Sequence, residues 1–287
     1  MKEVVVLSGK GGTGKTSIAG SFAALAKDAV LVDCDVDAAD LHLLLQPVIR
    51  EKHEFWSGQV ATIDKSRCTQ CGLCQELCRF KAINDFTIDR TSCEGCGFCS
   101  RVCPAEAITM KENMAGHWFI SDTRYGLLAH ARLGIAQENS GKLVATVRQK
   151  ARELAKKQGT SYIISDGPPG IGCPVISSLS GANLALLVTE PTLSGIHDLE
   201  RVFEVCHHFN VSALVCINKY DINKENSQQI EAYCKAQGSE VVAKIPFDKV
   251  FTEAIVNGLP VVEYSDGAVS QQIKHLWQDV AETLDKN

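Results

Sequence analysis

The chain has 287 residues, 45% of them hydrophobic and 22% charged, a globular composition that excludes a disordered, collagenous or membrane-embedded polypeptide and leaves room for one large domain or two modest ones. Twenty-nine Lys and Arg against 34 Asp and Glu give a formal charge of −5 with no long basic run, which argues against a nucleic-acid partner. No segment approaches the roughly 18 to 20 apolar residues of a membrane span, so no stable membrane insertion is expected.

The opening Met1-Lys2-Glu3 carries no apolar secretory segment, and a total of thirteen cysteines is odd, so the cysteines cannot all pair as disulfides. The chain is expected to be cytoplasmic, where clustered cysteines are read first as metal ligands or redox groups. Val4 to Leu7 is a short apolar, β-branched run that predicts a buried strand. It leads straight into Gly9-Lys10-Gly11-Gly12-Thr13-Gly14-Lys15-Thr16-Ser17, with a helix predicted from about Lys15 to Lys27. In this order the glycines let backbone N–H groups turn inward around phosphates at a helix N-terminus. Lys15 reaches the β- and γ-phosphates, and the Thr16 hydroxyl ligates Mg²⁺. Ala29 to Val32 predicts a second buried strand ending in Asp33-Cys34-Asp35-Val36-Asp37, where carboxylates beside a phosphate loop suit Mg²⁺ or a positioned water. For Asp37 and Asp40 a solvated acidic turn is the simpler account.

With Lys10 as an additional lysine early in the loop, the chain resembles the deviant Walker A ATPases of the MinD/ParA/Mrp/nitrogenase iron protein superfamily, which are SIMIBI-like. The resemblance implies ATP/ADP and Mg²⁺ as ligands, a homodimer formed on ATP binding, and slow hydrolysis activated by dimerisation or a partner. It also implies that Lys10 contacts nucleotide phosphates across the dimer interface, that Lys15 acts within its own subunit, and that Asp35 orients the hydrolytic water.

Cys68, Cys71, Cys74 and Cys78 have the spacing C-x₂-C-x₂-C-x₃-C, and Cys93, Cys96, Cys99 and Cys103 repeat it 25 residues later, with Ala82-Ile83 matching Ala107-Ile108 in the same register. An internal duplication is the simplest account. Tetrahedral zinc sites usually draw on two separated C-x₂-C pairs, whereas three cysteines at successive three-residue steps wrap a cube-shaped cluster. The block resembles the bacterial two-cluster ferredoxins. That resemblance implies two [4Fe–4S] clusters in which the fourth cysteine of each run ligates the other cluster: Cys68, Cys71, Cys74 and Cys103 for one, Cys93, Cys96, Cys99 and Cys78 for its partner. Arg79 follows Cys78 where a proline is common, a positive charge that would raise that cluster's potential or mark a docking face.

Trp118-Phe119-Ile120 resumes the strand pattern, and Glu138-Asn139-Ser140-Gly141-Lys142 precedes a helix predicted from about Leu143 to Lys157. Tyr162 to Ser165 predicts another strand, running into Asp166-Gly167-Pro168-Pro169-Gly170, which looks like the superfamily's switch II; Asp166 would hold Mg²⁺ through water and Gly170 would face the γ-phosphate. Cys173 lies just beyond, ahead of a helix predicted near Pro174 whose N-terminus would lower a thiol pKa. Since the nitrogenase iron protein carries a cluster-bridging cysteine just past the corresponding aspartate, the resemblance implies that Cys173 faces the dimer interface and binds a metal or cluster in one nucleotide state. Cys206, Cys216 and Cys234 are read as core packing.

Leu214 to Ile217 ends at Asn218-Lys219 and Val241 to Ile245 ends at Pro246-Phe247-Asp248. The resemblance implies that these loops close over adenine, with the Asn218 amide reading the base and Pro246 and Phe247 at its edge. Strands alternating with helices predict an α/β fold with a doubly wound, mostly parallel sheet. The expected organisation is a discontinuous P-loop ATPase domain, 1–58 and 116–287, with a small inserted α+β ferredoxin-like domain over 59–115. The final helix, with Val269, Ile273, Leu276, Trp277, Val280 and Leu284 on one face, is expected to pack on the sheet, because acidic residues dominate its polar side.

Three functions fit these features. The first is an ATPase whose dimer state is coupled to electron transfer through two clusters to an unidentified redox partner. The second is an Mrp-like carrier that hands an iron–sulfur or metal cofactor to an accepting protein. The third is a MinD/ParA-like spatial organiser. Two complete four-cysteine sets favour the first, and the acidic C-terminal helix counts against the third.

Overall fold

The computed structural model describes residues 1–135 and 139–286. In chain order the strands are β1 (Lys2–Ser8), β2 (Ala29–Asp33), β3 (Val48–Ile63), β4 (Ile83–Asn84), β5 (Thr87–Ile88), β6 (Ile108–Thr123), β7 (Gly126–Leu133), β8 (Tyr162–Pro169), β9 (Leu184–Thr189), β10 (Ser212–Asn218) and β11 (Glu240–Ile245). The helices are α1 (Lys15–Ala26), α2 (Leu41–Leu45), α3 (Leu73–Glu76), α4 (Phe98–Val102), α5 (Ser140–Gln158), α6 (Cys173–Leu179), α7 (Leu193–His208), α8 (Lys224–Ala236), α9 (Val250–Val256), α10 (Val261–Tyr264) and α11 (Ala268–Lys286). Glu138, the first residue of the segment noted before α5, lies outside the described residues.

Among the described residues, nine strands form one sheet in the order β11-β10-β9-β1-β8-β2-β7-β6-β3. From β11 to β7 every neighbour is parallel, and β1 sits in the middle with Val4 opposite both Ile164 and Leu184. Only two residues separate β6 from β7, which forces the adjacent pair to run antiparallel. A parallel strand covered on both sides is apolar at every position, and Val4 to Leu7 are all fully buried.

The two-residue period of β1 divides these side chains between two cores. Val4 and Val6 face Ile18 and Phe22 of α1 together with the apolar stripe of α11, while Val5 and Leu7 face α6 and α7 through Val175, Leu179, Leu199 and Phe203. On α11 the stripe is the one expected: Val269, Ile273, Leu276, Trp277, Val280 and Leu284 are buried, and the Trp277 ring lies 5.0 Å from Phe22 and 5.5 Å from Tyr162. The face that a membrane would have to take is thus spent inside the protein. Among the described residues no helix is long and apolar enough to cross a membrane.

At the start of β1 a charge is buried with its partners. Glu3 Oε1 accepts from Arg148 Nε at 2.8 Å and Nη2 at 2.6 Å, and Oε2 accepts from Arg152 Nε at 2.9 Å and Nη2 at 2.7 Å. Arg148 also donates to the Ser177 carbonyl and, at 3.0 Å, to that of Ser180, so β1, α5 and the end of α6 meet at one carboxylate.

The chain divides into two compact units, one of Met1–Lys52, Trp118–Ala131 and Ser140–Asn287, the other of His53–His117 and Arg132–Asn139. All eight clustered cysteines belong to the second. Its core is Ala61, Cys74, Ile83 and Ile108, with Ile63, Ile88 and Met110 packed against them. The 25-residue repeat is visible in its backbone: α3 and α4 are each entered through a left-handed glycine, Gly72 (φ 81°) and Gly97 (φ 72°), and Ala82-Ile83 and Ala107-Ile108 are buried in pairs. A short antiparallel hairpin, β4 with β5, pairs Ile83 with Ile88.

Candidate nucleotide site and cysteine-lined cavity

The loop between β1 and α1 leaves a helix N-terminus open. Gly14 caps α1 in the left-handed conformation (φ 94°), with no side-chain cap and no acidic residue in the first turn. The first N–H groups are therefore free to meet an anion, and a carboxylate that would repel one is absent from that turn. A side chain at Gly14 would also collide with Asn218, whose Nδ2 lies 2.5 Å from where a Cβ would stand. The Thr13 hydroxyl is buried without a partner.

Lys15 is 8% exposed, with Nζ 3.2 Å from Asp35 Oδ2 and 4.0 Å from Asp166 Oδ1. Burial works to lower its pKa, but Asp166 and Asp35 outweigh burial and raise it, so the ammonium is secure. Asp33, fully buried, accepts from the backbone N–H of Asp35 at 3.1 Å and of Leu41 at 3.3 Å, which fixes the turn that presents Asp35. Burial, with Asp166 nearby, pushes the Asp33 carboxyl well above its usual range. Burial also raises Asp166. Lys15 and then the Thr16 hydroxyl offset this only in part, and neither Asp166 oxygen completes a hydrogen bond. A hydroxyl beside an underpartnered carboxylate is a donor set that suits Mg²⁺.

These residues open onto a cavity of about 450 Å³ whose far wall is Phe247, Phe251, Thr252 and Ile255. Of the two residues expected at the base edge, Phe247 lines this cavity and Pro246 does not. Phe251 and Ile255, one turn apart on α9, escaped sequence reasoning; their i, i+4 spacing after Asp248 was the signal available. Asn218, expected to read the base, lines the same cavity. It is 1% exposed, its Nδ2 donates to the Thr13 carbonyl at 2.8 Å, and its Oδ1 accepts from Lys219 N at 2.9 Å. One amide N–H and the carbonyl oxygen are engaged inside the protein, which ties Asn218 to the phosphate loop.

Lys10 is also engaged within its own chain, forming an ion pair with Glu190 at 2.5 Å. Burial alone would raise the Glu190 carboxyl, but Lys10 and Lys219 hold it below its usual range. Glu190, just past β9, has no sequence motif to announce it.

Cys173 is exposed and opens α6. Cys34, Cys206, Cys216 and Cys234 are buried, and burial pushes their thiols up to about 12, as inert packing requires. In the second unit, Cys74 and Cys78 of the first run share a cavity of about 290 Å³ with Cys93, Cys96 and Cys99 of the second. Burial raises the thiol of Cys74, with Cys103 and Cys68 adding to the effect. The Cys99 thiol is raised by burial and then by Cys93 and Cys96. Preassembled ligand sets are not seen: among the described residues, no three His, Cys, Asp or Glu side chains converge tightly enough to hold a single metal ion. The thiols are instead distributed around a space.

Comparison with known proteins bears on the nucleotide site. An uncharacterized protein of Methanocaldococcus jannaschii is 32% identical over 285 residues, covering 98% of this chain and 97% of its own. A putative septum site-determining protein MinD of Oltmannsiellopsis viridis is 25% identical, covering 91% of this chain and 69% of its own length. Among solved structures, the septum site-determining protein MinD of Pyrococcus horikoshii, in complex with Mg-ADP, superposes with a TM-score of 0.60 at 19% identity, over 97% of this chain and 95% of its own. MinD of Pyrococcus furiosus gives 0.58 at 19% identity, over 98% of each chain. A family model, the CobQ/CobB/MinD/ParA nucleotide binding domain, matches residues 4–261. That match runs from β1 into α10 and takes in the phosphate loop, Asp35, Asp166 and Asn218 alike, and the chain belongs to the CobQ/CobB/MinD/ParA nucleotide-binding family.

Proposed function

We propose that the chain is a slow, ATP-hydrolysing molecular switch of the MinD/ParA type, which closes into a homodimer on ATP and whose second unit carries two [4Fe–4S] clusters. The observation that carries the switch is the Lys15 ammonium held between Asp35 and Asp166 at the uncapped start of α1. Lys15 stabilises charge developing on the phosphates, and Asp35 takes up the attacking water when Lys15 turns to the nucleotide. Thr16 and Asp166 would hold Mg²⁺, which neutralises phosphate charge. The Mg-ADP complex of the Pyrococcus horikoshii protein supports this assignment, as does the family membership. Phe247, Phe251 and Ile255 offer an apolar wall to a base.

The named relatives favour a MinD/ParA-type ATPase over electron transfer, and they lend no support to a redox partner. A MinC:MinD complex of Aquifex aeolicus is among the similar structures, which supports a protein partner acting on the dimer. The clusters rest on the second unit alone. The proximity of Cys103 and Cys68 to Cys74 supports one crosswise ligand set; Cys78 lines the cavity of Cys93, Cys96 and Cys99, as the other set requires, together with Cys74. When bound, such clusters would be held by the eight clustered cysteines and would supply one-electron chemistry.

The test is anaerobic purification with iron and sulfide counting, then ATP turnover against protein concentration. About eight irons per chain is expected, with a rate per chain that climbs as dimer forms and is lost in Lys15→Met. Fewer than two irons after reconstitution would remove the clusters. A rate independent of concentration would remove the dimeric switch.

A further inference from the structure

Two lysines meet at one carboxylate beside the phosphate loop. The Lys10 ammonium lies 2.5 Å from Glu190 Oε1 and 3.2 Å from both Thr192 Oγ1 and Ser194 Oγ. An ammonium has three N–H donors, and each has an acceptor here within its own chain. The other Glu190 oxygen takes Lys219 Nζ at 3.0 Å, and Lys219 also donates to the Gly12 carbonyl at 3.2 Å. Glu190 is thereby anchored to the loop whether or not Lys10 stays. The Lys10 backbone is pinned as well, its carbonyl accepting from Ser8 Oγ at 2.7 Å. A lysine with all three donors spent in cis has none to offer the phosphates of a second subunit.

We infer that Glu190, Thr192 and Ser194 form a latch that holds Lys10 in cis and sets the threshold for ATP-dependent dimerisation. The inference rests on the reading that Lys10 acts across the dimer. In this scheme Glu190 is a positioning residue: it touches no nucleotide and acts through where it keeps Lys10. Opening the latch separates a partly exposed ion pair and two hydroxyl contacts, with side-chain exposure of 29% for Lys10 and 14% for Glu190. Lys219 remains as a counter-charge, so Glu190 is not stranded. An ion pair of this exposure shifts an equilibrium by about threefold. A symmetric dimer opens two latches, which makes about tenfold in the dimer dissociation constant. The sign is diagnostic, because general damage to the fold loosens a dimer and loss of a latch tightens it.

The experiment measures dimerisation of the full chain by sedimentation velocity with Mg²⁺ and a non-hydrolysable ATP analogue, together with ATPase rate against protein concentration. Glu190→Gln is expected to lower the dimer dissociation constant about tenfold and to move half-maximal ATPase to correspondingly lower concentration. Ser194→Ala, which alters an exposed hydroxyl, shifts both in the same direction by less. Lys10→Ala loosens the dimer, and adding Glu190→Gln to Lys10→Ala changes nothing further. If Glu190→Gln and Ser194→Ala leave the dimer unchanged or weaker while Lys10→Ala loosens it, the latch is overturned and the cross-subunit role of Lys10 stands. If Lys10→Ala dimerises like the natural chain, that role falls, and the latch falls with it.

Discussion

Glu3→Gln removes the charge that balances Arg148 in the core while keeping the side chain's shape. Arg148 is 3% exposed and loses a two-pronged ionic contact at 2.6 to 2.8 Å; Arg152, at 37% exposed, is partly solvated and counts for less. Breaking a buried pair from one side costs about 3 to 5 kcal/mol, because a charge remains buried without its counter-charge. The amide still accepts one hydrogen bond, which places the loss near the lower figure, about 3 kcal/mol. Against a total stability of about 5 to 15 kcal/mol that is a large fraction. For a chain of this length it corresponds to a fall in Tm of roughly 6 °C. Urea unfolding followed by circular dichroism measures the free energy, and a thermal scan measures the midpoint. The companion Glu3→Leu with Arg148→Met removes both charges, and most of the loss should return. A single variant within about 1 kcal/mol of the natural chain, or a double variant less stable than the single, would refute the argument.

Other substitutions test separate parts of the site. Asn218→Ala should weaken binding of ATP and GTP by a similar factor, about tenfold by titration calorimetry, because the amide braces the loop; a change in base preference with unchanged overall affinity would contradict the brace. Trp277→Ala should cost about 3 kcal/mol in urea unfolding, as a buried indole packed on Phe22 and Tyr162 requires, and a neutral result would mean that α11 is not part of the core. Cys78→Ala and Cys103→Ala should each halve the iron content after anaerobic reconstitution, and spectroscopy should show that the cluster remaining differs between the two variants. The same remaining cluster in both would refute crosswise ligation.

The phosphate loop was legible because its chemistry is contiguous: strand, glycines, Lys15-Thr16 and helix follow one another, and local spacing alone arranges them. The parallel sheet was legible for a related reason, since strands buried on both faces read as unbroken apolar runs. β3 was not, because its first seven residues are exposed and carry no alternation. β6 starts at Ile108, ten residues before the apolar Trp118-Phe119-Ile120 run that marked it, and its early half is mostly polar or partly exposed. The partnership of Lys10 with Glu190 joins residues 180 positions apart, and no local pattern encodes which carboxylate a lysine will find. The hydrogen bond from Asn218 to Thr13 was not legible for the same reason. The position of Asn218 at a strand end was clear, but the direction of its amide depends on how closely Gly14 approaches it.

The chain between β3 and β6, residues 64–107, carries all eight clustered cysteines, and these two strands are neighbours at the sheet's margin. A segment spliced in between adjacent marginal strands does not alter the order of the others, and its removal need not either. Shortening that connection is expected to leave the order of β11 through β7, and with it the surroundings of the phosphate loop, unchanged. A chain rebuilt with a short turn joining β3 to β6 would keep five of the 13 cysteines, and the difference in nucleotide binding between it and the full protein would isolate what residues 64–107 contribute.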